Sequence, residues 1–192
     1  MDSEEENTKQ NIVTKRIIGF CIALDIFVID QLSKWAITEM VIRPKLDSQS
    51  SGMGIFEWYK NTPDMLPYFQ IKITSFFNIV MAWNTGVSFS MFSNSGEMMP
   101  YILIAVALGI TALFSIWLWR SDKHPHTICY AMIIGGALGN VIDRARFGAV
   151  IDFLDFHVMG YHWPAFNVAD MSIVCGISLL IIVSLFFEKE EK

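Results

Sequence analysis

The stretch Tyr101-Ile-Leu-Ile-Ala-Val-Ala-Leu-Gly-Ile-Thr-Ala-Leu-Phe-Ser-Ile-Trp-Leu-Trp119 carries no charged side chain from end to end. A helix needs about 20 mainly apolar residues to cross the roughly 30 Å of hydrocarbon in a bilayer, and this segment meets that need alone. Three further apolar blocks lie to either side of it. Ile17 to Ile37 precedes it and is interrupted by Asp25, Asp30 and Lys34. Thr127 to Ile142 follows, shorter and marked by Gly135, Gly136 and Gly139, and Val168 to Phe187 closes the series with Asp170 near its start. The expected fold is therefore an all-α membrane bundle of four transmembrane helices in one polytopic domain over 1–192, with both termini on the same side.

The remainder of the composition agrees. Hydrophobic residues make up 53% of the 192 and charged residues 17%, against roughly 25% charged in soluble domains. The net charge of −5 sits largely in Asp2 to Glu6 and Glu188 to Glu191, which read as solvated tails. No basic stripe points to a nucleic-acid partner. Lys15, Arg16, Arg120, Lys123, Lys189 and Lys192 flank the spans on one face, which the positive-inside bias makes cytoplasmic. Arg43, Lys45, Arg144 and Arg146 fall on the other face and weaken that signal without reversing it. Phe20 stands where a lipid-attachment box before Cys21 would need a small residue, so the first block reads as a retained span. Cys21, Cys129 and Cys175 lie inside apolar blocks and are expected as free thiols. His124, His126, His157 and His162 lack metal-ligand spacing, so no metal is expected.

Between the first two blocks, Arg43 to Pro67 is polar and turn-rich and reads as an exposed loop. Ile71 to Met81 alternates in polarity, as a half-buried strand or hairpin at the membrane surface would. A small β-cradle with extended loop, over about 38–100, is expected on the outer side. The Asn84-Thr85-Gly86 turn would end one strand before Ser88 to Phe92 continues. Trp83, Trp117, Trp119, Tyr161 and Trp163 read as interfacial anchors.

Ionisable groups inside spans are costly and usually face a bundle interior or a wet cavity. Asp30 and Lys34 are four apart near the outer end of the first span. Asn140, Asp143 and Arg144 share a face near the outer end of the third. Asn167 and Asp170 are three apart at the outer start of the fourth, and Asp152 lies in the short loop Arg146 to Pro164. All of these project to one depth. Plainer readings stand beside the functional one: Asp30–Lys34 as a structural ion pair, Asn140, Asp143 and Arg144 as bracing groups, Asp25 as pairing across helices, Asp155 as solvated, and Gly135 and Gly139 as a helix-packing motif. Two aspartates flanking one water can hydrolyse an amide without metal or covalent intermediate, sharing one proton because like charges at close range cannot both ionise cheaply. The residues alone leave open which two of Asp30, Asp143, Asp152 and Asp170 do so. A small transporter is the alternative reading, against which stands the gathering of the carboxylates at one level.

Five motifs carry a resemblance: Asp30-Gln-Leu-Ser-Lys34, Asn84-Thr-Gly-Val-Ser-Phe89, Gly136-Ala-Leu-Gly-Asn-Val-Ile-Asp-Arg144, Val150-Ile-Asp-Phe153 and Pro164-Ala-Phe-Asn-Val-Ala-Asp170. In this order they resemble the bacterial lipoprotein signal peptidases, also called signal peptidase II. The resemblance implies an aspartic endopeptidase whose catalytic pair is Asp152 and Asp170, with Asp30, Lys34, Asn84, Gly86, Asn140, Asp143, Arg144 and Asn167 positioning substrate or bracing the pair. It implies no cofactor and no metal. The substrate implied is a lipid-modified prolipoprotein cut just before its diacylglyceryl cysteine. Membrane lipid is the other expected partner, a monomer the expected state, and the bacterial inner membrane the expected location, with cytoplasmic termini and an active site near the outer face. The acidic residues ahead of Ile12 and the length of Arg43 to Pro67 depart from the family's usual pattern.

Overall fold

The computed structural model describes residues 2–86, 98–121 and 123–186, with side chains from residue 10 onward. Helix α1 runs Asp2–Trp35, so the acidic residues expected as a solvated tail begin inside a helix. It continues without a break into a π-helical stretch, Ala36–Ile42, and a single turn, α2, Arg43–Leu46. After α3, Ile55–Lys60, come strands β1, Phe69–Lys72, and β2, Phe77–Asn84. Helices α4, Met99–Arg120, and α5, His124–Phe147, precede β3, Val150–Val158, β4, Tyr161–His162, and α6, Val168–Phe186.

Among the described residues α4, α5 and α6 are the helices long and apolar enough to cross a membrane. Helix α1 is longer still, but Asp25, Asp30 and Lys34 break its apolar run. Helix α5 is the hub, with α1, α4 and α6 all packed on it. It buries 61% of its most apolar window, against 11% for α4 and 17% for α6. Its small residues permit this. A Cβ on Gly135 would strike the Ala23 carbonyl and the Ile26 side chain of α1, and one on Gly136 would strike the Ala169 carbonyl of α6. Asp25, expected to pair across helices, is instead exposed and without hydrogen bond or ion pair among the described residues. It lies on the side of α1 that carries the exposed Val28 and Ile29.

The sheet is antiparallel in the order β1-β2-β3-β4. Asp152 therefore lies in a central strand, not in a loop: Val150-Ile-Asp-Phe-Leu-Asp-Phe is rich in strand-forming residues and pairs with β2 from Asn84↔Val150 to Phe77↔Phe156. The register slips by one residue between Ile79 and Ala82, a bulge of the kind that re-aims side chains beside functional sites. Under the sheet Ile42, Trp58, Met81, Ile151 and Phe153 form a buried core, flanked by Trp35, Met53, Leu66, Trp83 and Phe147. This corrects two expectations. Arg43 to Pro67 is no merely exposed loop, because α3 delivers the fully buried Trp58 into that core. Trp83 is no surface anchor, because it packs there and its Nε1–H donates to the Leu66 carbonyl at 2.8 Å. Trp117, Trp119, Tyr161 and Trp163 are exposed. The strand expected over Ser88 to Phe92 lies outside the described residues.

Candidate active site

The site is assembled where β3, α1 and the end of α5 meet the start of α6. Gly148 ends α5 in the left-handed conformation (φ 71°), its N–H donating to the Arg144 carbonyl at 2.9 Å. Glycine adopts that conformation without steric cost and so stops the helix. Two residues later β3 begins, and Asp152 follows. At the other end of the same connection, Asn167 stands just before Val168 and caps α6. Its Oδ1 accepts the Asp170 N–H at 2.9 Å, while the Asp170 carboxylate accepts the Asn167 N–H at 3.3 Å. This reciprocal box satisfies two donors that a helix start leaves free.

Asn167 also reaches sideways. Its Nδ2 donates to Asp152 Oδ1 at 2.7 Å, so one residue touches both the Asp152 and the Asp170 carboxylates. Asn84 donates to the other oxygen of Asp152 at 3.1 Å. Its own Oδ1 is held by the Gly86 N–H at 2.9 Å, and Gly86 takes a positive φ of 76° in that turn. Asn140 donates to Asp170 Oδ1 at 2.8 Å. Asp152 is buried and Asp170 half-buried. Burial, and then the neighbouring charge of Asp170, push the Asp152 carboxyl up to about 7, against the lowering effect of the Asn84 and Asn167 amides. At neutral pH Asp152 is therefore poised between its protonated and ionised forms, as a group that must give and take a proton in one reaction needs to be.

Behind this pair lies a dry ionic cluster. Lys34 is wholly buried and its Nζ sits 2.8 Å from Asp30 Oδ2 and 2.7 Å from Asp143 Oδ2. Asn140 Oδ1 lies 3.4 Å from the same nitrogen. Asp30 Oδ1 accepts the Ala169 N–H at 2.9 Å, which places a carboxylate on the first turn of α6. Asp143 Oδ2 also accepts the Ile151 N–H at 3.2 Å, next to Asp152. A side chain at Gly139 would collide with the Asp30 carboxylate, so this close approach requires glycine.

The structure thus joins Asp30, Lys34, Asn84, Asn140, Asp143, Asp152, Asn167 and Asp170 in one hydrogen-bonded network, with Gly86 as the turn that orients Asn84. Arg144 stands apart. It is half-buried and, among the described residues, its side chain is bonded only to the Asn140 carbonyl at 3.5 Å, with its Nε unpartnered and its charge acting on Asp170, Asp143 and Asp152 through space. Two members were not singled out from sequence. Gln31, buried, donates to Asp143 at 2.8 Å and to the Gly139 carbonyl at 3.2 Å. Tyr59 of α3 donates to Gln31 Oε1 at 3.0 Å. An amide beside Asp30 inside an apolar block was the signal for Gln31; Tyr59 offered none. Asp155, expected to be solvated, is buried instead. It accepts from Asn78 at 2.7 Å and lies 2.8 Å from His162 Nδ1. Burial would raise its carboxyl, but these two partners hold it below the usual carboxylate range.

The family described as Signal peptidase (SPase) II matches residues 22–186. The lipoprotein signal peptidase of Francisella tularensis subsp. novicida (strain U112) is 45% identical over 123 residues, covering 62% of this chain and 76% of that protein. That of Ralstonia nicotianae (strain ATCC BAA-1114 / GMI1000) is 49% identical over 112 residues, covering 57% of this chain and 64% of its own length. A solved bacterial membrane enzyme, determined by the in meso method at 2.3 Å resolution, matches with a TM-score of 0.62 at 25% identity, over 91% of this chain and 93% of that one.

Proposed function

Because the chain belongs to the signal peptidase II family, and is thereby a membrane peptidase, we propose that it removes signal peptides from lipid-modified precursor proteins by an aspartic mechanism centred on Asp152 and Asp170. The observation that carries this reading is Asn167, whose side chain and backbone amides reach one carboxylate each. Neither carboxylate is in an ion pair among the described residues, whereas Asp30 and Asp143 are both bound to Lys34.

The proposed steps follow from that arrangement. A water held between Asp152 and Asp170 gives its proton to the ionised member as its oxygen attacks the carbonyl carbon of the scissile bond. The protonated member donates to the carbonyl oxygen, which becomes the hydroxyl of a tetrahedral intermediate. Collapse of that intermediate breaks the C–N bond, and the departing amine takes a proton from the pair. Asn84, Asn140 and Asn167 fix the carboxylates while they exchange roles, since amides donate without competing for the proton. Arg144 contributes positive charge beside a site that is otherwise anionic, offsetting the negative charge that builds on the carbonyl oxygen. The bond cut is the one before the diacylglyceryl cysteine.

The proposed topology has four spans, α1, α4, α5 and α6, with both termini cytoplasmic and the sheet on the outer surface. Lys15, Arg16, Arg120 and Lys123 at the inner ends support it. The monomer suffices, since every group used comes from one chain.

Cleavage of a purified, lipidated precursor by the full-length protein tests the assignment. Asp152→Asn and Asp170→Asn should each lower turnover by about 10³-fold or more while folding and inserting normally, with Asp155→Asn retaining most activity. Wild-type turnover in either of the first two variants removes the dyad.

A further inference from the structure

Helices α1 and α4 both pack on α5 but hardly touch each other, which leaves a cleft between them on the side of the bundle away from α6. Three stripes line it. From α1 come Val13, Ile17, Phe20, Leu24 and Phe27, spaced three and four apart on one face. From α4 come Thr111, Ser115 and Trp119, and from α5 Ile134, Leu138 and Ile142, each set at intervals of four. The cleft consists of two adjoining hollows of ≈ 530 and ≈ 370 Å³ that share Phe20 and Leu24. Its lining is almost wholly apolar, and Thr111, the polar residue at its upper end, spends its hydroxyl on the Ala107 carbonyl at 2.8 Å. At 1.5 Å per residue the path from Val13 to Phe27 is about 21 Å long, enough to hold an acyl chain through the leaflet of a bilayer whose core is roughly 30 Å thick.

One end differs. Arg16 lies in the mouth with its guanidinium 4.7 Å over the Trp119 ring, and its Nε is buried without a hydrogen-bond partner. Lys15 precedes Arg16 in α1, and Arg120 follows Trp119 as the last residue of α4. Asp25, the nearest carboxylate on α1, is nine residues further along the helix and does not line the cleft. An apolar slot one leaflet deep, closed at its cytoplasmic end by an arginine stacked on tryptophan, has the shape and charge of a phospholipid with an anionic headgroup. We propose that the α1–α4 cleft is a binding site for one anionic phospholipid of the inner leaflet, its phosphate at Arg16 and an acyl chain along Phe20, Leu24 and Leu138. Its headgroup end at Arg16 lies 14 residues along α1 from Asp30, and the site is independent of the reaction; it rests on the reading that α1 lies in the bilayer beside α4.

The probe is the full chain in nanodiscs of phosphatidylcholine doped with phosphatidylglycerol carrying the same chains, brominated along the acyl tail. A fluorophore on Cys21, which lines the cleft, reports quenching, with Cys175→Ser and Cys129→Ser removing competing thiols. Brominated phosphatidylglycerol should quench at about fivefold lower mole fraction than brominated phosphatidylcholine, the worth of roughly 1 kcal/mol per basic residue at an anionic headgroup layer. Arg16→Gln should abolish the preference, and Ser115→Phe, which fills the slot, should weaken quenching by both lipids. Precursor cleavage should stay at wild-type level in Arg16→Gln. Equal quenching by the two lipids, or a preference that survives Arg16→Gln, overturns the site. So does displacement of both lipids by a signal-peptide helix, which would make the cleft a substrate groove. Rapid alkylation of Cys21 in sealed vesicles by a water-soluble maleimide would sink the placement of α1 in the bilayer instead, and the lipid site with it.

Discussion

Asp30 and Asp143 share a buried lysine; Asp152 and Asp170, joined to them through Asn140 and Asn167, share only amides. The two pairs lie in one network and carry the same functional group, yet they are built for opposite ends. In the first, both carboxylates lie within 2.8 Å of one lysine ammonium and are sealed from solvent with it, so that a fixed counter-charge holds them in place. In the second, the neighbours hydrogen-bond without neutralising, and repulsion between the pair adds to burial in keeping a proton on Asp152. A fixed cation makes a carboxylate structural, and its absence leaves a carboxylate able to do chemistry.

That contrast can be broken most directly at Lys34. Lys34→Met leaves Asp30 and Asp143 buried and unpaired, a loss of about 3–5 kcal/mol, so the protein should fail to accumulate folded in the membrane, as read by the thermal midpoint in detergent. A normal midpoint would show that the inner pair is no more structural than the outer one. Arg144→Ala comes next: it should reduce turnover by about 10²-fold with little change in folded yield, because Arg144 acts on the carboxylates through space and forms no ion pair with them. Unchanged turnover would make it a packing residue.

A smaller effect sharpens the electrostatics. With Asp152 raised to about 7, the shared proton is present below that pH and is lost above it. Activity should therefore fall as pH rises through about 7, and thermal stability should decline between pH 4 and 7, because the native state holds this proton more tightly than the unfolded chain. Asn84→Ala removes an amide that favours the ionised form and should move the alkaline limb upward in the pH–rate profile. A limb that moves down contradicts the assignment of that limb to Asp152. The smallest change is Tyr59→Phe, which costs one hydrogen bond to Gln31 and about 1 kcal/mol, seen as a lower thermal midpoint with the pH profile in place.

The sequence made the membrane helices legible because uninterrupted apolar runs such as Tyr101 to Trp119 have few other uses. It made the polar cluster legible because Asp30, Lys34, Asn140 and Asp143 stand in helices where such groups are expensive. It concealed whatever depends on contacts between distant segments. Trp58 sits in a turn-rich stretch whose composition suggested exposure, yet it is drawn inward by the apolar underside of the sheet and by Arg146, stacked 3.9 Å over its ring. Asn78 fell on the polar parity of its strand but is buried, because Asp155 opposite it supplies the partner that burial demands. Asp152 looked like a loop residue since a strand of mixed polarity betrays itself only through pairing, and β2 lies far away in the chain.

The box that closes the first turn of α6 has one more implication. Asp170 accepts the Asn167 N–H with the same carboxylate that is proposed to trade protons with water. Every change in its charge must then tighten or slacken the end of a helix, so fraying and turnover keep common time. Amide exchange at Asn167 would be the clock on which the rhythm of the enzyme could be read.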